Sequence, residues 1–145
     1  MVDRFAKVCA IEGQSVGINW SFSPVCDLDL NCLNPITNVH SYGSDTERAK
    51  RNTEIYVRVM QECGVAACAK HFPGNGVDYR DCHLHPTYNT LSAKEWYASY
   101  GTIFGGCFRS EADTFYNLVR FCVVCFRKLL MPICRYSKRQ FFMFS

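Results

Sequence analysis

The 145-residue sequence has no run of the roughly twenty apolar residues that a membrane-spanning helix needs. Its most apolar stretch, Phe121 to Cys134, is interrupted by Arg127-Lys128 and by Pro132, so no membrane association is expected. No apolar segment develops after the charged start Met1-Val2-Asp3-Arg4-Phe5-Ala6-Lys7. A secretion signal is therefore not expected, and the ten cysteines are read as reduced thiols of a cytoplasmic protein rather than as a disulfide framework. The net charge of +3 is too small to imply a nucleic-acid partner. Internal repeats, low-complexity segments and the H-E-x-x-H pattern are all missing, and no C-x-x-C occurs in a pair. Gly74-Asn75-Gly76 has no helix behind it and does not make a phosphate loop.

What is present is an ordinary globular composition, 48% hydrophobic and 20% charged. The length suits one domain and falls short of the roughly 250 residues of a complete (β/α)8 barrel. The composition changes near Gly105-Gly106. Residues 1–105 carry 9 basic and 11 acidic side chains, whereas residues 106–145 carry 7 and 2, together with 9 of the 21 aromatics and no histidine.

Gly17 to Val25 alternates apolar and polar residues and ends beside Pro24, which predicts a strand running into a loop. The loop extends to about Tyr42 and is rich in Asp, Asn and Gly. Ser44-Asp45-Thr46-Glu47 fits a capping box opening a helix, with Ala49, Ile55, Tyr56, Val59, Met60 and Cys63 on its apolar face and Gly64 as its stop. Val65 to Ala69 is a short apolar run of the kind buried in a parallel sheet. A second long loop, Phe72 to about Thr90, precedes another capping box at Ser92-Ala93-Lys94-Glu95. The helix it opens is expected to continue through Phe104 and stop at Gly105-Gly106. The order is that of an α/β fold, with both long loops at the C-terminal strand ends, where such folds bind ligands.

The second loop holds Lys70-His71-Phe72-Pro73-Gly74-Asn75-Gly76 and, after it, Asp81-Cys82-His83-Leu84-His85-Pro86. In extended backbone Asp81 and His83 project from one face. The carboxylate can then hold one imidazole nitrogen, leaving the other to donate a proton near neutral pH. The spacing equally allows a plain surface hydrogen bond. Lys70 and His71 sit at the strand end, where they either meet a ligand hydroxyl or serve as a solvated lysine and a satisfied core histidine. His83-x-His85 with Asp81, His71 or Cys82 offers mixed metal ligands, but without a recognised metal motif no metal or other cofactor is expected.

These motifs resemble the N-terminal catalytic domain of family 3 glycoside hydrolases, in particular the β-N-acetylhexosaminidase branch. The family pattern K-H-F-P-G-x-G, D-x-H and a proline appears as Lys70 to Gly76, Asp81-Cys82-His83 and Pro86. Gly17 to Asp27 is similar to its strand ending in P-V-x-D, and Asn34-Pro35 with Ser41-Tyr42-Gly43-Ser44-Asp45 to its N-P and R-S-F/Y-G-x-D segments. The likeness spans roughly residues 5–104. It implies an α/β fold, a partial TIM-type (β/α)8 barrel of two to three βα units, followed by an irregular or helical C-terminal extension. It also implies retaining hydrolysis of a β-linked sugar, often N-acetylglucosamine, with transfer to phosphate in some members. In that scheme His83 is the general acid/base oriented by Asp81, and Lys70 and His71 bind sugar hydroxyls.

The sequence departs from the family pattern at two places. The arginine expected before the S-Y-G segment is His40, a substrate-binding candidate that lacks the bidentate guanidinium fork. Retaining chemistry also needs a carboxylate nucleophile, which the family supplies beyond the region of likeness. Glu111 and Asp113 are the only acids after Gly106. Residues 1–105 are accordingly expected to form a partial barrel domain and residues 106–145 an unrelated tail, from a shifted reading frame or as a helical extension. The chain alone is expected to be inactive and to self-associate through uncovered barrel edges. A non-catalytic sugar-binding module and, further off, a metal-binding protein are the alternatives.

Overall fold

The computed structural model describes residues 1–109, so the expected tail falls outside the described residues from position 110 onward. Within them the order is α1 (Val2–Ser15), β1 (Trp20–Ser21), a 3-10 turn (Asn38–His40), α2 (Thr46–Glu62), β2 (Ala66–Ala67), α3 (Ala93–Ala98) and α4 (Tyr100–Arg109). β1 and β2 pair in parallel, Trp20 opposite Ala66 and Ser21 opposite Ala67, with α2 as the crossover between them. This is the expected βαβ unit.

The pairing continues past the short regular strands. Cys68 and Lys70 donate their backbone N–H groups to Ser23 and Pro24, and Cys26 donates to Lys70 at 2.5 Å. Val25 and Lys70 form a further parallel bridge. The two chains thus run side by side up to Lys70, and both long loops leave from the same end.

α2 starts one residue later than its sequence suggested. Asp45 rather than Ser44 is the cap, its carboxylate accepting from the Arg48 N–H at 2.7 Å. The Asp45 carboxylate sits at the residue whose backbone is already extended, immediately before the first helical turn, so it reaches the orphan N–H. Gly64 ends the helix in the left-handed region, φ +79°. Ala49, Tyr56, Val59 and Met60 are buried as expected, joined by Val57 and Thr53, while Ile55 and Cys63 pack at the margin. Thr53 tolerates burial because its hydroxyl bonds back to the Lys50 carbonyl.

Against α2 pack α1, where Ala6 and Ala10 are fully buried, and α4, where Tyr100, Ile103 and Phe104 are buried. α1 went unread in the sequence. The small residues Ala6 and Ala10, one turn apart, were its signal. The second capping box is present in full, with Ser92 and Glu95 bonding reciprocally. The expected single helix is instead broken at Ser99, and it runs through Gly105-Gly106 to Arg109. Gly106 does not stop α4. It lies against Glu54 of α2, where a Cβ would collide with the carboxyl group. The glycine permits two helices to approach.

The alternation of β1 takes an unexpected sense. Ser21 and Ser23 turn inward and bond to one another, with Ser23 donating to the Tyr56 hydroxyl at 2.9 Å. Ile18, Trp20 and Phe22 are exposed, as are Phe5, Val8 and Ile11 of α1. No helix among the described residues is long and apolar enough to cross a membrane.

The glycines of the Phe72-Pro73-Gly74-Asn75-Gly76 run have a packing reason. Tyr100 places its ring against Gly74, where φ is +122°, and its hydroxyl accepts from Gly76 N–H and donates to the Leu28 carbonyl. A Cβ at Gly76 would overlap that same Leu28 carbonyl. Because backbone cannot yield as a side chain can, Gly76→Ala is expected to destabilise the domain by about 3 kcal/mol, read as a lower urea midpoint with an unchanged slope.

Candidate functional site

The site is built at the shared end of the two paired segments. Asp27, two residues past the Val25 bridge, is 1% exposed. One of its carboxylate oxygens takes the Asn75 N–H at 2.7 Å, and the other meets His71 Nδ1 at 2.6 Å and the His71 N–H at 3.3 Å. A carboxylate so deeply buried needs such partners to offset its lost hydration. His71 is thereby fixed with Nε2 as its remaining polar atom, at a cis Lys70–His71 peptide. Lys70 is half-buried, and its ammonium makes no hydrogen bond or ion pair among the described residues.

The following loop folds onto this anchor. Asn34 is buried, and its side-chain amide donates to the carbonyls of Asn75 and Asp78 while its oxygen accepts from the Ile36 and Thr37 N–H groups. Asp78 takes a bidentate pair from Arg80, plus the N–H groups of Arg80 and Tyr88. Arg80 lies over the Tyr88 ring at 4.9 Å. The guanidinium, with these backbone donors, holds the Asp78 carboxyl far below the usual carboxylate range.

Asp81 and His83 come together, but in a turn rather than in extended backbone. Asp81 Oδ1 accepts the His83 backbone N–H at 2.8 Å, an Asx turn, and meets His83 Nδ1 at 2.8 Å. The expectation of a shared strand face is corrected accordingly: a tight turn delivers the same pair with one more hydrogen bond. The His83 N–H, then its ring, hold the Asp81 carboxyl below its ordinary value. The His83 side chain is 63% exposed against 28% for Asp81, so the imidazole is open to an incoming molecule while its aspartate is partly sheltered. Cys82 lies between them, and the Asn75 amide approaches its sulfur at 3.6 Å. Asn75 thus links the Asp27–His71 pair to the Asp81–His83 turn.

His40 ends the 3-10 turn at an exposed position. Among the described residues no bond joins it to Lys70, His71, Asp81 or His83. Asp27, Asn34, Asn75 and the Asp78–Arg80 pair carry the geometry without having been assigned roles from sequence. The P-V-x-D turn and the Asn34-Pro35 step were the signals for the first two. Among the described residues, Cys9, Cys26, Cys32, Cys63 and Cys82 are free thiols.

An aspartate-held imidazole thus stands on a loop at the C-terminal ends of paired parallel strands, the ligand-binding edge of α/β folds. The chain belongs to glycosyl hydrolase family 3: the model of that family's N terminal domain matches residues 1–113. It is 48% identical over 113 residues to a beta-N-acetylglucosaminidase/beta-glucosidase of Cellulomonas fimi, covering 78% of this chain and 20% of that protein. A beta-hexosaminidase of Pseudomonas aeruginosa is 39% identical over 84 residues, 58% of this chain and 25% of its own length. The chain therefore spans a fifth to a quarter of these relatives.

Among solved structures, a beta-glucoside phosphorylase bound to 2FGlc superposes with a TM-score of 0.73 at 48% identity, over 75% of this chain and 20% of that one. NagZ from Neisseria gonorrhoeae, in complex with N-trifluoroacetyl-D-glucosamine, gives 0.69 at 32% identity, over 76% and 32%. The fold is that of part of an α/β barrel.

Two measurements check the anchors. Asp27→Ala leaves the Asn75 amide and the His71 ring without their shared acceptor and is expected to cost about 2–3 kcal/mol in urea unfolding. The low Asp78 value means that its stabilisation is complete above the ordinary carboxylate value of about 3.9 and drains away as pH falls through the folded-state value. Below pH about 4 the wild type should therefore lose stability more steeply than Asp78→Asn.

Proposed function

We propose that this chain carries the acid/base half of a site that processes β-linked glycosides, of the β-N-acetylhexosaminidase type and retaining in stereochemistry. The observation that carries the reading is the 2.8 Å contact between Asp81 Oδ1 and His83 Nδ1 beneath an open imidazole ring. Asp81 fixes the tautomer and supports the imidazolium, and His83 Nε2 gives its proton to the departing glycosidic oxygen. In the second half-reaction the same nitrogen takes a proton from the acceptor. Lys70 and His71, held at the strand end by the Asp27 anchor, bind sugar hydroxyls, with His40 as a further contact from the first loop.

The carboxylates of the site are already committed as orienting groups: Asp27 to His71 and Asn75, Asp78 to Arg80, Asp81 to His83. None of them is free to attack an anomeric carbon. The nucleophile that a retaining reaction requires is therefore assigned to a segment other than these loops, and the chain by itself is inactive. The resemblance to a beta-glucoside phosphorylase supports phosphate as an alternative acceptor to water. An imidazole that has lost its proton is neutral and repels an anionic acceptor less than a carboxylate would.

The purified chain should release no nitrophenol from 4-nitrophenyl N-acetyl-β-glucosaminide, and clear turnover abolished by His83→Ala would overturn the division of roles. Grafted in place of the matching segment of the Cellulomonas fimi relative, residues 1–113 should support activity. His83→Ala in that graft should then lower kcat by about 10²–10⁴ for glycosides with poor leaving groups and much less for activated ones. Equal losses for both kinds of leaving group would remove His83 as the proton donor. Added inorganic phosphate separates the two acceptors by its product, a sugar phosphate.

A further inference from the structure

Asp78 closes the loop that carries His83. Its carboxylate receives the Arg80 side chain and the Arg80 N–H, and also the N–H of Tyr88, ten positions on, at 2.8 Å. The segment between Asp78 and Tyr88 is thereby tied at both ends. Asp81 turns the chain between them, its carbonyl accepting from the Leu84 and His85 N–H groups. On this closed loop Tyr79 and Tyr88 are 63% and 60% exposed. The Arg80 guanidinium lies over both rings, 5.6 Å from the centre of the first and 4.9 Å from that of the second. Its two bonds to Asp78 fix the guanidinium in turn. The rings are braced without being covered, an arrangement suited to meeting a ligand rather than to filling a core.

We propose that Tyr79 and Tyr88, braced by Arg80, form the subsite for the leaving group, and that its occupant is a second pyranose ring. The preferred substrate is then an oligosaccharide rather than the glycoside of a small alcohol. The proposal rests on the reading of His83 as proton donor.

The position follows from that role. A general acid must touch the glycosidic oxygen, and the leaving group is bonded to that same oxygen. Lys70 and His71 at the strand end take the retained sugar, which directs the leaving group outward past the exposed His83 ring. Tyr79 and Tyr88 flank His83 at four and five positions along the chain, on two stems that Asp78 ties together. The chemistry follows from the rings. A pyranose carries C–H bonds on its faces and hydroxyls around its rim. Flat tyrosine rings suit the face, and the Arg80 N–H groups not directed at Asp78 suit a rim hydroxyl. Asp78 matches the charge of Arg80, so the platform selects a neutral ring rather than an anionic group.

Saturation-transfer NMR on the 145-residue chain tests the subsite without turnover. With N,N′-diacetylchitobiose as the probe, the reducing-end ring should receive saturation. Tyr79→Ala/Tyr88→Ala should lose it, whereas Tyr79→Phe/Tyr88→Phe, which keeps both rings, should retain it. The alanine variant keeps the backbone N–H of residue 88 and with it the closure at Asp78, and circular dichroism confirms that each variant is folded. No transfer to that ring in the unaltered chain, or transfer undiminished in the alanine variant, overturns the proposal. In the grafted enzyme the alanine pair should lower kcat/KM for diacetylchitobiose about tenfold. For methyl N-acetyl-β-glucosaminide, whose leaving group has no ring, the change should stay below about twofold. Equal losses on both substrates, or none on either, would also overturn it. If His83→Ala cost the graft nothing while the tyrosine pair still acted on the disaccharide alone, the acid assignment would fall and the ring-binding surface would stand.

Discussion

One buried carboxylate organises this structure. Asp27 ends the first paired segment and receives the His71 ring, the His71 N–H and the Asn75 N–H. These bonds reach across more than forty positions of sequence and bind the root of the second loop to the end of the first strand. A carboxylate taken out of water is tolerable only when its oxygens keep such donors. Its burial therefore makes the constraint strict: the loop must arrive with both N–H groups in place. Asn75 then passes the constraint on, since the residue fixed at Asp27 is also the one whose amide lies against Cys82.

Around this anchor the protein uses hydrogen bonds where a small α/β unit has too little sheet to do the work. The regular strands are two residues long each, and the long loops are held chiefly by side chains that satisfy backbone groups. Asn34 spans two loops with a single amide, Asp78 gathers a guanidinium and two backbone donors, and Tyr100 lends one hydroxyl to Leu28 and Gly76. Burial pushes the Tyr100 phenol well above its ordinary range, which keeps it a neutral donor and acceptor. The Asp81–His83 pair sits at the outer end of this scaffold. His83 is exposed, while the residues that place it are progressively more sheltered toward Asp27.

Sequence pattern showed the helix faces, the βαβ order and the pair Asp81–His83, because each depends on local spacing. It missed α1, whose buried contact is two alanines rather than a broad apolar stripe. It also placed a helix end at Gly105-Gly106, where glycine serves contact between helices. A glycine that stops a helix and one that admits a neighbour look the same in one dimension. The β1 alternation was legible as alternation only. Which set turned inward was fixed by Tyr56, whose hydroxyl receives the Ser23 proton.

The sequence by itself determined the βαβ unit, the loop that bears the histidines and the family to which the pattern belongs, since turn chemistry, capping and short motifs are encoded by near neighbours. The tertiary structure alone decided that Asp27 is the acceptor for His71 and that a turn, not a strand, aims His83. It also decided that a thiol stands beside the imidazole. Those facts join residues far apart in the chain, or depend on which of several allowed backbone shapes a loop takes once its other end is tied down. Distance in sequence carries no record of either.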